Sequence, residues 1–185
     1  MISREEALEL VTTHSADPHL VPHALETEAV LRALATRLDQ DPQLWSLTGL
    51  LHDLDYSATK ETPEKHGLVT CEMLAGRLPD EALTAIRAHN GECTGVMPQS
   101  AFDYALRCGE TVTGLIHANA LVRPEGMDGM KPKSLKKKMK EKAFAANINR
   151  DNIRECEKIG LDQGEFFQIA IDAIAPLAPE VGLVK

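Results

Sequence analysis

Five histidines, His23, His52, His66, His89 and His117, fall at or near the apolar faces of segments whose hydrophobic spacing is helical. A single helical histidine is ordinarily a packed core residue. Five in a chain that has only 7 point instead to a shared purpose. The segment GLLHDLDY is the sharpest case, because Gly49, Leu50, Leu51 and Leu54 place His52 and Asp53 at the buried end of a predicted helix. A buried imidazole beside a buried carboxylate needs a partner, and a divalent cation satisfies both at once. Imidazole with carboxylate suits Mn, Fe, Zn or Co better than Ca or Mg. Neighbouring residues stand about 100° apart around a helix, so His52 and Asp53 reach one ion only near the helix end. From there Asp53 has room to bridge to a second ion. The competing reading is a helical scaffold whose histidines only pack.

The elements that must position these residues are helices. Apolar residues recur every three or four positions, with almost none of the alternation of a half-buried strand. The predicted fold is all-α, a single-domain helical bundle over 1–185. Its motif core runs over about 19–123, with C-terminal helices over 131–178 packed on it. Ser3 with Glu6 forms a capping box for a helix to about Thr13. A second helix is expected from about Pro22 to Leu38. Asp41 and Pro42 start a third, ending near Leu54. Thr62 and Pro63 give the same start signal for a helix toward Gly76, and Pro79 and Asp80 for one that reaches His89 and stops at Asn90 and Gly91. Ser100 with Asp103 opens a long apolar helix to Val122, Pro124 to Pro132 reads as a loop, and Asp162 with Glu165 predicts a capping box for a last helix ending near Ala178.

With those positions set, a resemblance becomes legible. His23 in VPHALETEAV followed by GLLHDLD is similar to the H…HD…D pattern of the HD superfamily of metal-dependent phosphohydrolases. The order continues through His66, His89, the acidic residue of GETVTGLIHANALVRP, a later basic segment and AFAANINR, so the likeness covers essentially the whole chain. The resemblance implies an HD-type helical domain that uses His23, His52, Asp53 and Glu110 as ligands to a metal, with His66 and His89 as the additional histidines of binuclear members. Glu110 departs from the family pattern, which has Asp there. Glutamate is a competent ligand, but the extra methylene bears on where the ion sits and whether the site turns over. The alternative for Glu110 is a helix N-terminal carboxylate stabilised by the macrodipole.

The implied chemistry is hydrolysis by metal-activated water, with one or two ions. Two ions roughly 3.5–4 Å apart clamp a phosphate and lower the pKa of a bridging water, so no protein nucleophile is required. Asp53, as ligand, belongs to the catalytic set. Asp55 is a candidate for proton transfer or, alternatively, a C-cap or loop residue. Lys60 is a candidate for holding a substrate phosphate or, alternatively, a solvated charge. Arg123 and Arg150 are candidate phosphate ligands, because guanidinium pairs bidentately with phosphate. The run KPKSLKKKMKEK either guides an anionic substrate or is a solvated helix. His117 lies two turns from Glu110, roughly 10 Å along the axis, so it packs or lines the pocket.

Composition bounds the partners. A formal net charge of -8 argues against general nucleic-acid binding. Cys71, Cys93, Cys108 and Cys156 form no CxxC pair and read as reduced packing residues. The N-terminal MISREEALELV carries acid where a signal peptide carries base, and no apolar run approaches the ~18 residues of a membrane span, so a cytoplasmic location is expected. The expected partner is a small phosphorylated substrate of nucleotide type. The alternative function is a regulatory HD protein that binds metal or nucleotide with little or no turnover.

Overall fold

Helix starts form where a side chain meets the first free backbone amides. In the computed structural model, which describes residues 1–185, Ser3 and Glu6 form the reciprocal box that opens α1 (Arg4–His14). Asp41 accepts from Gln43 N and Leu44 N to open α3 (Pro42–Leu51), and Ser100 with Asp103 opens α8 (Ala101–Val122). Between α1 and α3 runs α2 (Leu20–Arg37). The remaining helices are α4 (Tyr56–Thr59), α5 (Leu68–Met73), α6 (Asp80–His89), α7 (Gly91–Thr94), α9 (Pro132–Lys140), α10 (Arg150–Arg154) and α11 (Gln163–Ile174). Short 3₁₀ turns occupy Pro63–Lys65, Glu155–Ile159 and Ala175–Leu177. The protein is all-helical, with no strand. No helix is long and apolar enough to cross a membrane.

α2 and α8 are the scaffold of the site. α2 packs against α3, α8 and α11, while α8 also receives α6, α9 and α10. A continuous cluster of 46 buried apolar residues runs from Ile2 to Leu183. Leu31 of α2 is fully buried in it, and its truncation to alanine is worth about 2–5 kcal/mol by the usual transfer and cavity terms. Trp45 of α3 stacks flat on Phe102 of α8, with ring centroids 4.7 Å apart. Gly49 lets α3 approach α2 closely: a Cβ there would stand 2.9 Å from the Thr27 carbonyl oxygen. This approach sets the depth at which His52 enters the core.

Three expectations need correction. The helix expected from Thr62 to Gly76 is broken into the 3₁₀ turn Pro63–Lys65 and α5, with Gly67 between them at φ +87°. The left-handed turn lets Gly67 N and Thr70 N both donate to Asp55, and a Cβ at Gly67 would come within 2.9 Å of the Ile86 carbonyl oxygen. Consequently His66 is not helical. The third helix ends at Leu51 rather than Leu54, because His52 to Asp55 turn off to follow these same contacts. At the last helix, Asp162 caps through Gly164 N and Glu165 N, but Glu165 pairs with Arg37 at 2.7 Å instead of completing a box. That helix gives way at Ile174 to the 3₁₀ turn containing Pro176.

Candidate metal centre

Each of four imidazoles has its Nδ1 committed to an acceptor. His52 Nδ1 lies 2.8 Å from the Gly49 carbonyl, and His89 Nδ1 2.5 Å from the Ile86 carbonyl. Carbonyls only accept, so in both rings Nδ1 carries the proton. His66 Nδ1 lies 2.7 Å from Asp55 Oδ1. His23 Nδ1 lies 2.9 Å from the Thr113 hydroxyl, which itself donates to the Glu110 carbonyl at 2.7 Å and so accepts from His23. Every neutral ring therefore presents a bare Nε2.

These four nitrogens point at one another. His23 Nε2 and His52 Nε2 are 3.3 Å apart, and His66 Nε2 and His89 Nε2 are 3.0 Å apart. Asp53 lies between the pairs: Oδ1 is 3.3 Å from His52 Nε2, 3.2 Å from His66 Nε2 and 3.5 Å from His89 Nε2, while Oδ2 is 3.6 Å from His23 Nε2. Two groups with metal-ligand spacing result, His23/His52/Asp53 and Asp53/His66/His89. Lone pairs and a carboxylate facing one another at low exposure repel unless positive charge lies among them. The donor set and its Nδ1 anchoring therefore fit divalent cations.

Ionisation shows the same demand. Burial pushes His52 down to about 3, so its ring is neutral. Burial also opposes charge on His66, yet Asp53 and Asp55 outweigh it and hold that ring up at about 10. These opposite shifts describe one crowded cluster. Without an ion, the physically consistent picture is a single proton at His66, the ring between two carboxylates, and a cation held at Nε2 would take the place of that proton. Asp53 is held well below the usual carboxylate range despite burial, and in this protonation pattern the partner that does so is the charged His66 ring, 3.2 Å from Oδ1.

Asp55 has a different job from the expected proton transfer. Its side chain is fully buried: Oδ1 accepts from His66 while Oδ2 accepts from Gly67 N at 2.8 Å and Thr70 N at 2.9 Å. All of its nearby donors are engaged, so it orients His66 and caps α5 from a distance. Burial raises its pKa, but these donors outweigh the effect and lower it overall.

A cleft of about 680 Å³ opens onto the cluster. Glu110 lines it from the middle of α8, so the helix N-terminal alternative is overturned by its position in the element. Its carboxyl stands against the Thr111 hydroxyl and outside both ligand groups. Burial raises its pKa, against the pull of His23 and His89. Lys60 is exposed and does not line the cleft. Neither do the two arginines. Arg123 donates to the Gly126 and Asp128 carbonyls, and Arg150 to those of Phe144, Ala145 and Ile148, so both guanidiniums are spent on loops. The lysine run forms α9, also away from the cleft. His117 pairs with buried Glu26 at 2.7 Å.

Several contributors were not singled out in sequence. Thr113 orients His23, and its place one helical turn after Glu110 is the signal that could have found it. Asn147, Asn149 and Asn152 line the cleft, and their clustering in AANINRDN was the available sign. A larger cleft, of about 830 Å³, lies between α2 and α11. There Arg4 and Arg32 are tied to Glu28 and Arg37 to Glu165, and no histidine is present. Volume does not mark the chemistry in this protein.

Fold and site together define a helical protein built around a histidine–carboxylate cluster with metal-ligand spacing. The HD domain family model matches residues 20–121, more than half of the chain, and the chain belongs to that family, whose members are generally metal-dependent hydrolases. No match emerges among curated proteins or among solved structures.

Proposed function

We propose that this protein is a phosphohydrolase that cleaves a phosphomonoester or phosphodiester of a nucleotide or nucleotide-derived substrate with water. The observation that carries the reading is the convergence of four Nε2 atoms on Asp53, each with its opposite nitrogen already anchored. One or two divalent ions of the Mn, Fe, Zn or Co type, when bound, supply charge for the phosphate oxygens and acidity for a water.

The chain's own residues do the rest. His23 and His52 hold one side of the centre, His66 and His89 the other, and Asp53 serves both. Asp55 and Thr113 keep the rings turned. Glu110 lines the cleft from α8 and, deprotonated beside an ion, would add its carboxylate. No serine, cysteine or lysine lines the cleft, and a water made acidic by a bound ion is the nucleophile in this reading. Elemental analysis followed by a phosphatase and phosphodiesterase panel with Mn²⁺ tests this. Bound metal with turnover is the expected result, and absence of bound metal would overturn it.

One observation favours a second reading. Glu110 stands outside both ligand groups, which suits a regulatory protein that binds metal or nucleotide without turnover. Metal retention with no hydrolysis across the panel would select it.

A further inference from the structure

One wall of the metal cleft is built by residues 144–152, which have no role in holding an ion. This strap is fixed at three points. The Arg150 guanidinium gathers the carbonyls of Phe144, Ala145 and Ile148. Ile148 lies on α8 at Gly114, its Cδ1 3.0 Å from where a Cβ would stand. Asn149 caps α10 by accepting from Asp151 N at 2.9 Å. Ala145 is held at φ +44°, a left-handed conformation that is unfavourable for alanine and persists only where the surroundings impose it.

The fixed strap aims carboxamides into the cleft. Asn152 Oδ1 accepts from Arg107 Nη2 at 3.1 Å, and Arg107 is only 3% exposed, between Glu92 and Glu155. With its oxygen committed to a buried cation, Asn152 has its NH₂ group left to offer. Asn147 lines the same cleft and has no hydrogen-bond partner within the protein. The charged groups beyond the histidines are Asp17, Asp53, Glu92 and Glu110, and no lysine or arginine lines the cleft.

We propose that Asn147 and Asn152 recognise the leaving group of a phosphomonoester, and that the cleft selects one phosphate joined to a neutral hydrogen-bonding body, such as a nucleoside, over its di- and triphosphate. This rests on the phosphohydrolase reading above. Sites for polyphosphates supply lysine or arginine to each added phosphate. Here each added phosphate would meet carboxylates. Carboxamides, with donor and acceptor side by side, match the edges of bases and sugar hydroxyls. The cleft volume lies in the range of small-molecule sites. Arg107 and Arg150 are positioning residues that act through Asn152 and through the strap.

The test is calorimetric titration of the Mn²⁺-loaded protein with a non-hydrolysable nucleoside 5′-phosphonate, with its forms extended by one and two phosphates, and with inorganic phosphate. The expected result is affinity about tenfold weaker for each added phosphate. Equal or tighter binding of the extended forms overturns the selectivity. Asn152→Ala and Asn147→Ala are each expected to cut the preference for the phosphonate over inorganic phosphate by about five- to tenfold, the worth of one hydrogen bond. An unchanged preference in both overturns the recognition role. Asn147 is exposed and unpaired, so its variant carries no folding cost and keeps that result decisive. Hydrolysis of p-nitrophenyl phosphate by the same preparation reports on the phosphohydrolase reading alone. Turnover there without a monophosphate preference overturns only the present inference. Absence of any phosphate binding by the metal-loaded protein overturns both.

Discussion

His23 and His52 stand on α2 and at the end of α3, two helices packed face to face, whereas His66 stands in an irregular turn and His89 at the last residue of α6. The two pairs meet at the same carboxylate, Asp53. The first pair is placed by core packing, with Gly49 setting the depth. In the second, His66 is placed by hydrogen bonds that end on Asp55, while His89 is placed by the packing of α6 on α8 and by the Ile86 carbonyl. Ligands positioned by packing should survive the loss of any one polar contact. Ligands positioned through one buried carboxylate should not.

The largest effect should come where the two halves join. Asp53→Ala removes a donor from both, and His52→Ala removes the most buried ring. Each should abolish metal retention, read by elemental analysis, while circular dichroism shows most helical content intact. Unchanged stoichiometry in both would sink the centre as described.

Asp55→Ala strikes the second half alone. It leaves His66 Nδ1, Gly67 N and Thr70 N without their acceptor, so the second ion should be lost and stability should fall by about 3–5 kcal/mol in urea unfolding. Because the pKa of Asp55 is lowered on folding, its contribution is present above the unfolded value near 3.9 and fades as pH falls toward the folded one. Retention of both ions in this variant would erase the contrast between the halves.

Replacing His66 and His89 together should leave one ion where the wild type holds two in excess Mn²⁺. A wild type that never holds more than one would return these rings to substrate binding or packing. Glu110 offers a finer probe. Glu110→Asp should retain metal, and Glu110→Ala should weaken it by a measurable fraction without abolishing it. Unchanged affinity in the alanine variant removes Glu110 from the site.

The smallest effect belongs to His117, away from both halves. Its hydrogen bond to Glu26 raises its pKa in spite of burial. The stabilisation is therefore full below the unfolded value near 6.5 and is lost as pH rises through the folded one. His117→Gln should flatten that part of the curve of thermal midpoint against pH and leave metal stoichiometry unchanged.

The first half of the centre was the more legible in the sequence, because helical periodicity carries it: GLLHDL places His52 and Asp53 at a buried helix end by spacing alone. The second half was only partly so. Thr62 and Pro63 signal a helix start that yields only the 3₁₀ turn Pro63–Lys65, and nothing local announces that Gly67 will turn left-handed to bring two amides to a carboxylate twelve residues earlier. Lys60, Arg123 and Arg150 were plausible phosphate ligands by residue type, yet type does not report whether a guanidinium is already spent on a carbonyl.

By itself the sequence determined the helical class, the caps at Ser3, Asp41 and Ser100, and the family, since each depends on residues within a few positions of one another or on their order along the chain. Tertiary structure alone decided which ring nitrogen of each histidine is free, that Asp55 orients rather than reacts, and that the cleft carries carboxamides and carboxylates but no lysine or arginine. Those properties belong to pairs of groups far apart in the chain. A side chain's chemistry is set by the partner that reaches it, and packing chooses that partner.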